Sequence, residues 1–155
     1  MPFKLRSLLT AAAACALVIG TTTSAEASAV GYEKVSGFCF TMSGQTVCAP
    51  TATLGHYIKG DGRKIERQEA SIQDVFGADT AGREWCNWRF DWRYADTNGK
   101  TYLIRKGKTH NGCSFWSSIG RVDNTTHTLK HYGKACAAFY ASGKERAVQC
   151  HNITK

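Results

Sequence analysis

Residues 86 to 94, "CNWRFDWRY", place Trp88, Phe90, Trp92 and Tyr94 at every second position, with Arg89, Asp91 and Arg93 between them. Period two is the signature of a β-strand, whose successive side chains point to opposite faces. One face of this strand is therefore a row of rings and the other a ladder of charges. Each ring buries roughly 150–250 Å², several kcal/mol at about 25 cal/mol per Å². A small chain short of Leu and Ile cannot leave that surface in water, so the rings belong to its interior. A cysteine in phase with them, Cys86, supports the same side, since bridging sulfurs are usually placed beside a core. The other face, Arg89, Asp91 and Arg93, then looks outward and is a candidate docking stripe. The alternative for the ring face is a platform on which bases or sugars stack, and Trp92 and Tyr94, nearest the following turn, are then the rings expected to reach solvent.

The chain opens "MPFKLRSLLTAAAACALVIGTTTSAEASA". Lys4 and Arg6 precede an apolar stretch from Leu8 to Gly20, and two small-x-small sites follow, Ala25-Glu26-Ala27 and Ala27-Ser28-Ala29. That order is a secretory signal peptide, assigned to 1–29, with an Ala- and Thr-rich composition of bacterial type. The stretch is shorter than the roughly 20 residues a membrane span needs, and no later segment approaches that length. The remaining residues, 30–155, fit one domain. The whole chain has 20 Lys and Arg against 12 Asp and Glu; the leader carries Lys4, Arg6 and Glu26, leaving 18 against 11, a net charge of +7. Such a charge favours anionic partners: acidic proteins, envelope polymers, or, as a second option, nucleic acid.

Outside the leader stand Cys39, Cys48, Cys86, Cys113, Cys136 and Cys150. An even number, an exported chain and no C-x-x-C spacing point to disulfides rather than to zinc. In "CFTMSGQTVC" a two-residue turn at Ser43-Gly44 pairs Met42 with Gln45 and hence Cys39 with Cys48. The pair falls on a non-hydrogen-bonded site, where Cα atoms lie about 4.5 Å apart. In "CAAFYASGKERAVQC" a three-residue turn at Ser142-Gly143-Lys144 sets Cys136 against Cys150. Cys86 and Cys113 remain. A strict two-residue turn at Asn98-Gly99 would set Cys86 against Asn111, so their bridge requires a bulge. Each closed loop stabilises by roughly 3 kcal/mol in the chain-entropy model.

The fold class expected is mainly β: a small antiparallel sandwich or barrel of hairpins, disulfide-stapled, with one short helix. The helix is expected in "RKIERQEASIQDVFG", 63 to 77, where Ile65, Glu69, Ile72 and Phe76 recur at helical spacing and Gly77 supplies a stop. Residues 30–37 read as a flexible lead-in, and "ADTAGRE", 78 to 84, as a loop.

No G-x-S-x-G, H-E-x-x-H, P-loop or EF-hand motif occurs, so no catalytic residue, metal ligand or cofactor site is assigned. His127 and His131 are four apart but in a strand and a turn, where they do not share a face. Glu66 or Glu84 with His127 or His151 would be the acid–base pair of a small basic nuclease. Asn124-Thr125-Thr126 and Asn152-Ile153-Thr154 match the glycosylation sequon, which a bacterial host would not use.

"CSFWSSIGRVDNTTHTLKHYGKACAAF", 113 to 139, resembles the second half of secreted bacterial βγ-crystallin-like domains, the group of metalloprotease inhibitors and a killer-toxin-like protein. Ser117-Ser118-Ile119, Asn124-Thr125-Thr126 and Leu129 through Tyr132 follow the order of that group. Its two calcium positions would be Cys113 and Ser114, so the calcium ligands are largely missing, and Ala137-Ala138 replaces its aromatic-x-Gly turn. The layout of leader, six cysteines and lead-in strand is also similar to the small secreted adapter subunits of bacterial toxin particles. The resemblance implies an inhibitor or toxin component. The expected function is thus a secreted, non-enzymatic protein-binding module whose partner is another secreted or envelope protein. A nuclease, and a cell-envelope or carbohydrate binder using exposed Trp, are the alternatives.

Overall fold

A computed structural model describes residues 27–74, 84–115 and 119–155. The leader before residue 27, Phe76 and Gly77 of the expected helix, and most of the 78–84 loop lie outside these residues. Among the described residues ten strands form two antiparallel sheets, and no helix occurs.

The first sheet holds β1 (Ala27–Met42), β2 (Gln45–Asp61), β3 (Lys64–Asp74), β7 (Gly120–Asp123) and β8 (His127–Thr128). Its order is β1-β2-β3-β7, with β8 also on β3. The second holds β4 (Glu84–Asp96), β5 (Thr101–Arg105), β6 (His110–Phe115), β9 (Gly133–Ala141) and β10 (Lys144–Ile153). Its order is β10-β9-β4-β5, with β6 also on β4. β5 with β6, and β7 with β8, each read as one interrupted strand returning along its partner.

The turn chemistry explains the hairpins. Ser43 and Gly44, with φ of 52° and 78°, make the two-residue turn of the β1–β2 hairpin, and Cys39 faces Cys48 as the spacing requires. Cys39 is disulfide-bonded. The lead-in is not a loose arm: Val30 to Gly37 pair with Tyr57 to Pro50 inside β1. Ala27–Ala29, assigned to the leader, occupy the first rungs of the same strand, opposite Gly60 to Ile58.

The last hairpin differs from expectation. Ser142 and Gly143 both have positive φ, 51° and 73°, so the turn has two residues, with Lys144 opposite Ala141. A bulge at Arg146 then restores the register that sets Cys150 against Cys136, and the two are bonded. At Asn98-Gly99 the turn is also not the two-residue type. Gly99 N–H bonds to Asp96 O, Asp96 N–H bonds to Lys100 O, and Gly99 has φ 81°. This is the three-residue loop with glycine in the left-handed region. A register shift between Tyr94 and Ala95, one more residue gained between β5 and β6, and a shift between Cys86 and Trp88 together bring Cys113 opposite Cys86, and that pair is bonded. These two bridges fit an oxidising compartment.

The expected helix is strand β3. Its Ile65 and Ile72 are both buried although seven residues apart, an odd spacing that a straight strand cannot place on one face. A register shift between Lys59 and Gly60 pairs Ile65 with Gly60 and Arg67 with Lys59. Glu66 is the extra residue, and Gln68, Ala70 and Ile72 continue the inward alternation. A bulge therefore imitates the helical period, and the polar Gln68 at an inward position hides the alternation.

The sheets pack face to face as a sandwich. Trp88, Phe90, Trp92 and Tyr94 of β4 are at most 4% exposed and face Leu54, Ile58, Ile65, Ala70 and Ile72 of the first sheet within one core cluster. Alanine makes room for the rings: Ala137 stands opposite Trp92 and Ala135 opposite Tyr94 on β9. The aromatic row is interior, as the alternation requires, but the cysteine argument for it is not the reason. Cys39, Cys113 and Cys150 are exposed, Cys86 is half-buried and Cys136 is buried, and none of these cysteines belongs to the cluster that the rings form.

Candidate functional site

The docking stripe expected on β4 is assembled in part. Arg89, Asp91 and Arg93 share the outer face of the second sheet, but their charges are consumed there. Asp91 is 2% exposed; it accepts both carboxylate bonds of Arg89 Nε, at 3.1 and 3.3 Å, and one from Gly107 N–H at 3.0 Å. The burial comes from the segment after β5, which passes over β4 so closely that a Cβ on Gly107 would lie 2.1 Å from Phe90 O. Arg89 lies over the Tyr140 ring at 4.0 Å, and Arg93 donates to Tyr140 Oη and to Glu145, to which Tyr140 also donates. The stripe is a mutually paired cover over the β9 strand at Ala138, with Arg93 Nε its one buried donor that makes no hydrogen bond. Trp92 and Tyr94, expected to reach solvent, have 0% exposure. They point to the opposite face from the stripe and cannot join it.

Nor do the histidines assemble an acid–base site. His127 Nδ1–H donates to Thr125 O at 2.9 Å, which leaves Nε2 to accept the Tyr94 hydroxyl at 3.1 Å. Gln68 Nε2 donates to the same hydroxyl at 2.7 Å. Burial, the largest influence, holds the Tyr94 phenol above its ordinary pKa. His151 Nε2–H donates to His56 O at 2.9 Å and is buried. Glu66 pairs with Lys64 at 2.8 Å on an exposed rung, and Glu84 is exposed at the start of β4. Both ring nitrogens of His127 are engaged in holding β8 to the core. Among the described residues no three His, Cys, Asp or Glu side chains come together as metal ligands.

His56 was missed by sequence reasoning. It points inward from β2, 1% exposed, stacked on Trp92 at 5.5 Å and 4.9 Å from the His151 ring. Neither ring nitrogen makes a hydrogen bond of normal geometry. Burial first, and then the His151 charge, push its pKa down to about 3, with the Gln149 backbone offsetting only part. It is a neutral core residue. Arg121 also went unnoticed. From β7 it crosses to the second sheet, donating to Phe90 O at 2.8 Å and Arg105 O at 3.2 Å, with its guanidinium 4.9 Å from the Trp92 ring centroid. It substitutes for a strand partner where the β4–β5 ladder stops.

Two surfaces stay open. On the outer face of the first sheet, Tyr32, Gly55, Ser71 and Gly120 form one cross-strand rung. The next rung is Val30, Tyr57, Glu69 and Val122. Gly55 and Ser71 make the floor of a shallow groove of about 420 Å³, with Tyr32, Tyr57 and the Arg67–Glu69 pair on its lining. Tyr32 is 57% exposed.

The second surface is the β5 edge of the second sheet, whose opposite edge is β10. β5 pairs with β4 on one side, and no described strand pairs with the other. Leu103 and Ile104 are exposed there, at 39% and 49%. Lys100, Lys106 and Lys108 are exposed around them. Among the described residues no ion pair includes these lysines or Arg105. The signal was present in "KTYLIRKGK", a short apolar strand between cations with no acidic residue. What it lacked was any indication that this strand, and not a neighbour, ends the sheet.

No family model, no curated protein and no solved structure matches this chain.

Proposed function

We propose that this protein is an exported, non-enzymatic binding module that acts on a protein partner as an inhibitor, adapter or toxin-complex component. The carrying observation is the contrast between its groups. Of the acid–base candidates, His127 and His151 are tied to the core and Glu66 to Lys64, and exposed Glu84 has neither histidine beside it as a hydrogen-bonded partner, whereas an apolar, cation-flanked strand edge is left open. Secretion is supported by the leader pattern of residues 1–29 and by the cysteine pairs, with Cys39 facing Cys48 as the third staple. Native mass spectrometry of the protein recovered from the medium of its producing cells tests the reading: a stoichiometric protein partner is expected. Migration as a lone chain at every concentration, or RNA hydrolysis abolished by His127→Ala, refutes it.

The groove on the first sheet favours a second reading, a polysaccharide binder that uses Tyr32 and Tyr57 rather than tryptophan. Soluble envelope polysaccharide would then bind the parent protein and fail to bind a Tyr32→Ala variant.

A further inference from the structure

We infer that the partner is held by strand addition to β5, and that the added segment is an extended, acidic peptide alternating with apolar residues. The inference rests on the protein-binding reading above and specifies its mode. An edge strand presents a row of unpaired N–H and C=O groups to any chain that can lie alongside it, and main-chain bonds then supply affinity while side chains choose the partner. β5 meets these requirements: it is held to β4 on one side, open on the other, and carries Leu103 and Ile104 at the surface.

Charge selects the occupant. Lys100 precedes β5, Arg105 ends it, and Lys106 and Lys108 follow it, with no carboxylate among residues 100–108. A second copy added antiparallel would set Lys100 against Arg105 or Lys106, and like charges directly opposite are destabilising. Copies of this chain are thereby kept off, and a strand bearing Glu or Asp is admitted. The chain's own remaining segments do not fit: the leader carries Lys4 and Arg6, and residues 75–83 carry Asp79 against Arg83. Nucleic acid is the other anionic candidate, but it offers no main-chain partner, and the one ring of β5, Tyr102, is half-buried and edge-on to His131 at 5.0 Å. That leaves no open stacking platform.

The test uses the full mature protein and a short synthetic peptide alternating glutamate with valine, read by fluorescence anisotropy and by amide hydrogen exchange. Three comparisons accompany it: the same composition with a central proline, polyglutamate, and a DNA duplex. The alternating peptide is expected to bind, to slow exchange of the β5 amides, and to weaken about tenfold in a Lys106→Glu/Lys108→Glu variant and at high salt. The Ile104→Lys variant should also weaken binding while both variants keep the parent's denaturation midpoint. Equal binding by the proline peptide, by polyglutamate or by DNA would show that charge alone attracts, and would overturn the inference. So would no binding by the alternating peptide at low salt. A native partner whose footprint protects other strands would overturn strand addition at β5 while leaving the binding-module reading standing.

Discussion

Acid should destabilise this protein through a single buried ring. His56 has an ordinary pKa of 6.5 and is held at about 3 in the folded chain by burial and by His151. A folded pKa below the unfolded one means that, between these values, the unfolded chain binds a proton that the folded chain refuses. Stability therefore falls as pH falls through that window, by about 1.4 kcal/mol per pH unit. The loss from this residue is about 3 kcal/mol at pH 4.5 and at most about 5 kcal/mol near pH 3. Above pH 6.5 it contributes nothing. Replacing His56 by Phe keeps the stack on Trp92 and removes the proton site, and the carbonyl that accepts from His151 is backbone and survives. Urea denaturation of parent and His56→Phe at pH 7.5, 5.5 and 4.5 is the assay. The variant's curve should be flatter by the amounts above, and its stability at pH 7.5 about 1 kcal/mol higher, because two unbonded ring nitrogens are gone. Asp123, held below its ordinary pKa by hydrogen bonds from Thr125 and Gln68 despite partial burial, adds its own loss only as pH drops below the carboxylate range. It acts in both proteins and cancels. Parallel pH curves would mean that the ring is not neutral and buried, and the packing of β2 on β4 would have to be redrawn.

Other perturbations probe the rest of the fold. Arg121→Met removes charged donors from Phe90 O and Arg105 O and should cost about 2–4 kcal/mol in urea denaturation; a neutral result would refute its role as a substitute strand partner. Tyr94→Phe leaves Gln68 Nε2 without its short bond inside the core; a loss of about 1–3 kcal/mol is expected, and thermal melting checks it. Gly107→Ala places a Cβ against Phe90 O, so the strap over Asp91 must lift; a drop of about 2 kcal/mol or more is expected, and an unchanged melting curve would contradict the close approach. Exported protein should begin at Ser28 or Val30 by N-terminal sequencing, and an intact leader on secreted material would refute the assignment of 1–29.

Particular residues show what could be read from the chain and what could not. The ring row of β4 declared itself because period two and bulk coincide over four positions, and its burial follows from area alone. The Cys39–Cys48 register followed because a tight turn propagates pairing without interruption. β3 was lost because one inserted residue, Glu66, shifts the phase, and because Gln68 enters the core to reach Tyr94, a contact 26 residues away. Asp91 was placed on the correct face but expected in solvent, because its burial depends on Gly107 from a later segment, not on its own strand. The free edge of β5 depends on where β7 goes, and only tertiary order decides that. Long-range substitutions such as Arg121 for a missing strand leave no periodic trace.

The central claim is that three local hairpins, each closed by its own sulfur bridge, clasp one aromatic interior and leave a strand edge for recognition. Peptide mapping of the unreduced native chain tests it most directly. The account predicts Cys39 joined to Cys48, Cys86 to Cys113 and Cys136 to Cys150, with no free thiol among the six. A bridge between cysteines of different hairpins would break the registers of β1–β2, β4–β6 and β9–β10 and contradict the fold on which the β5 edge depends.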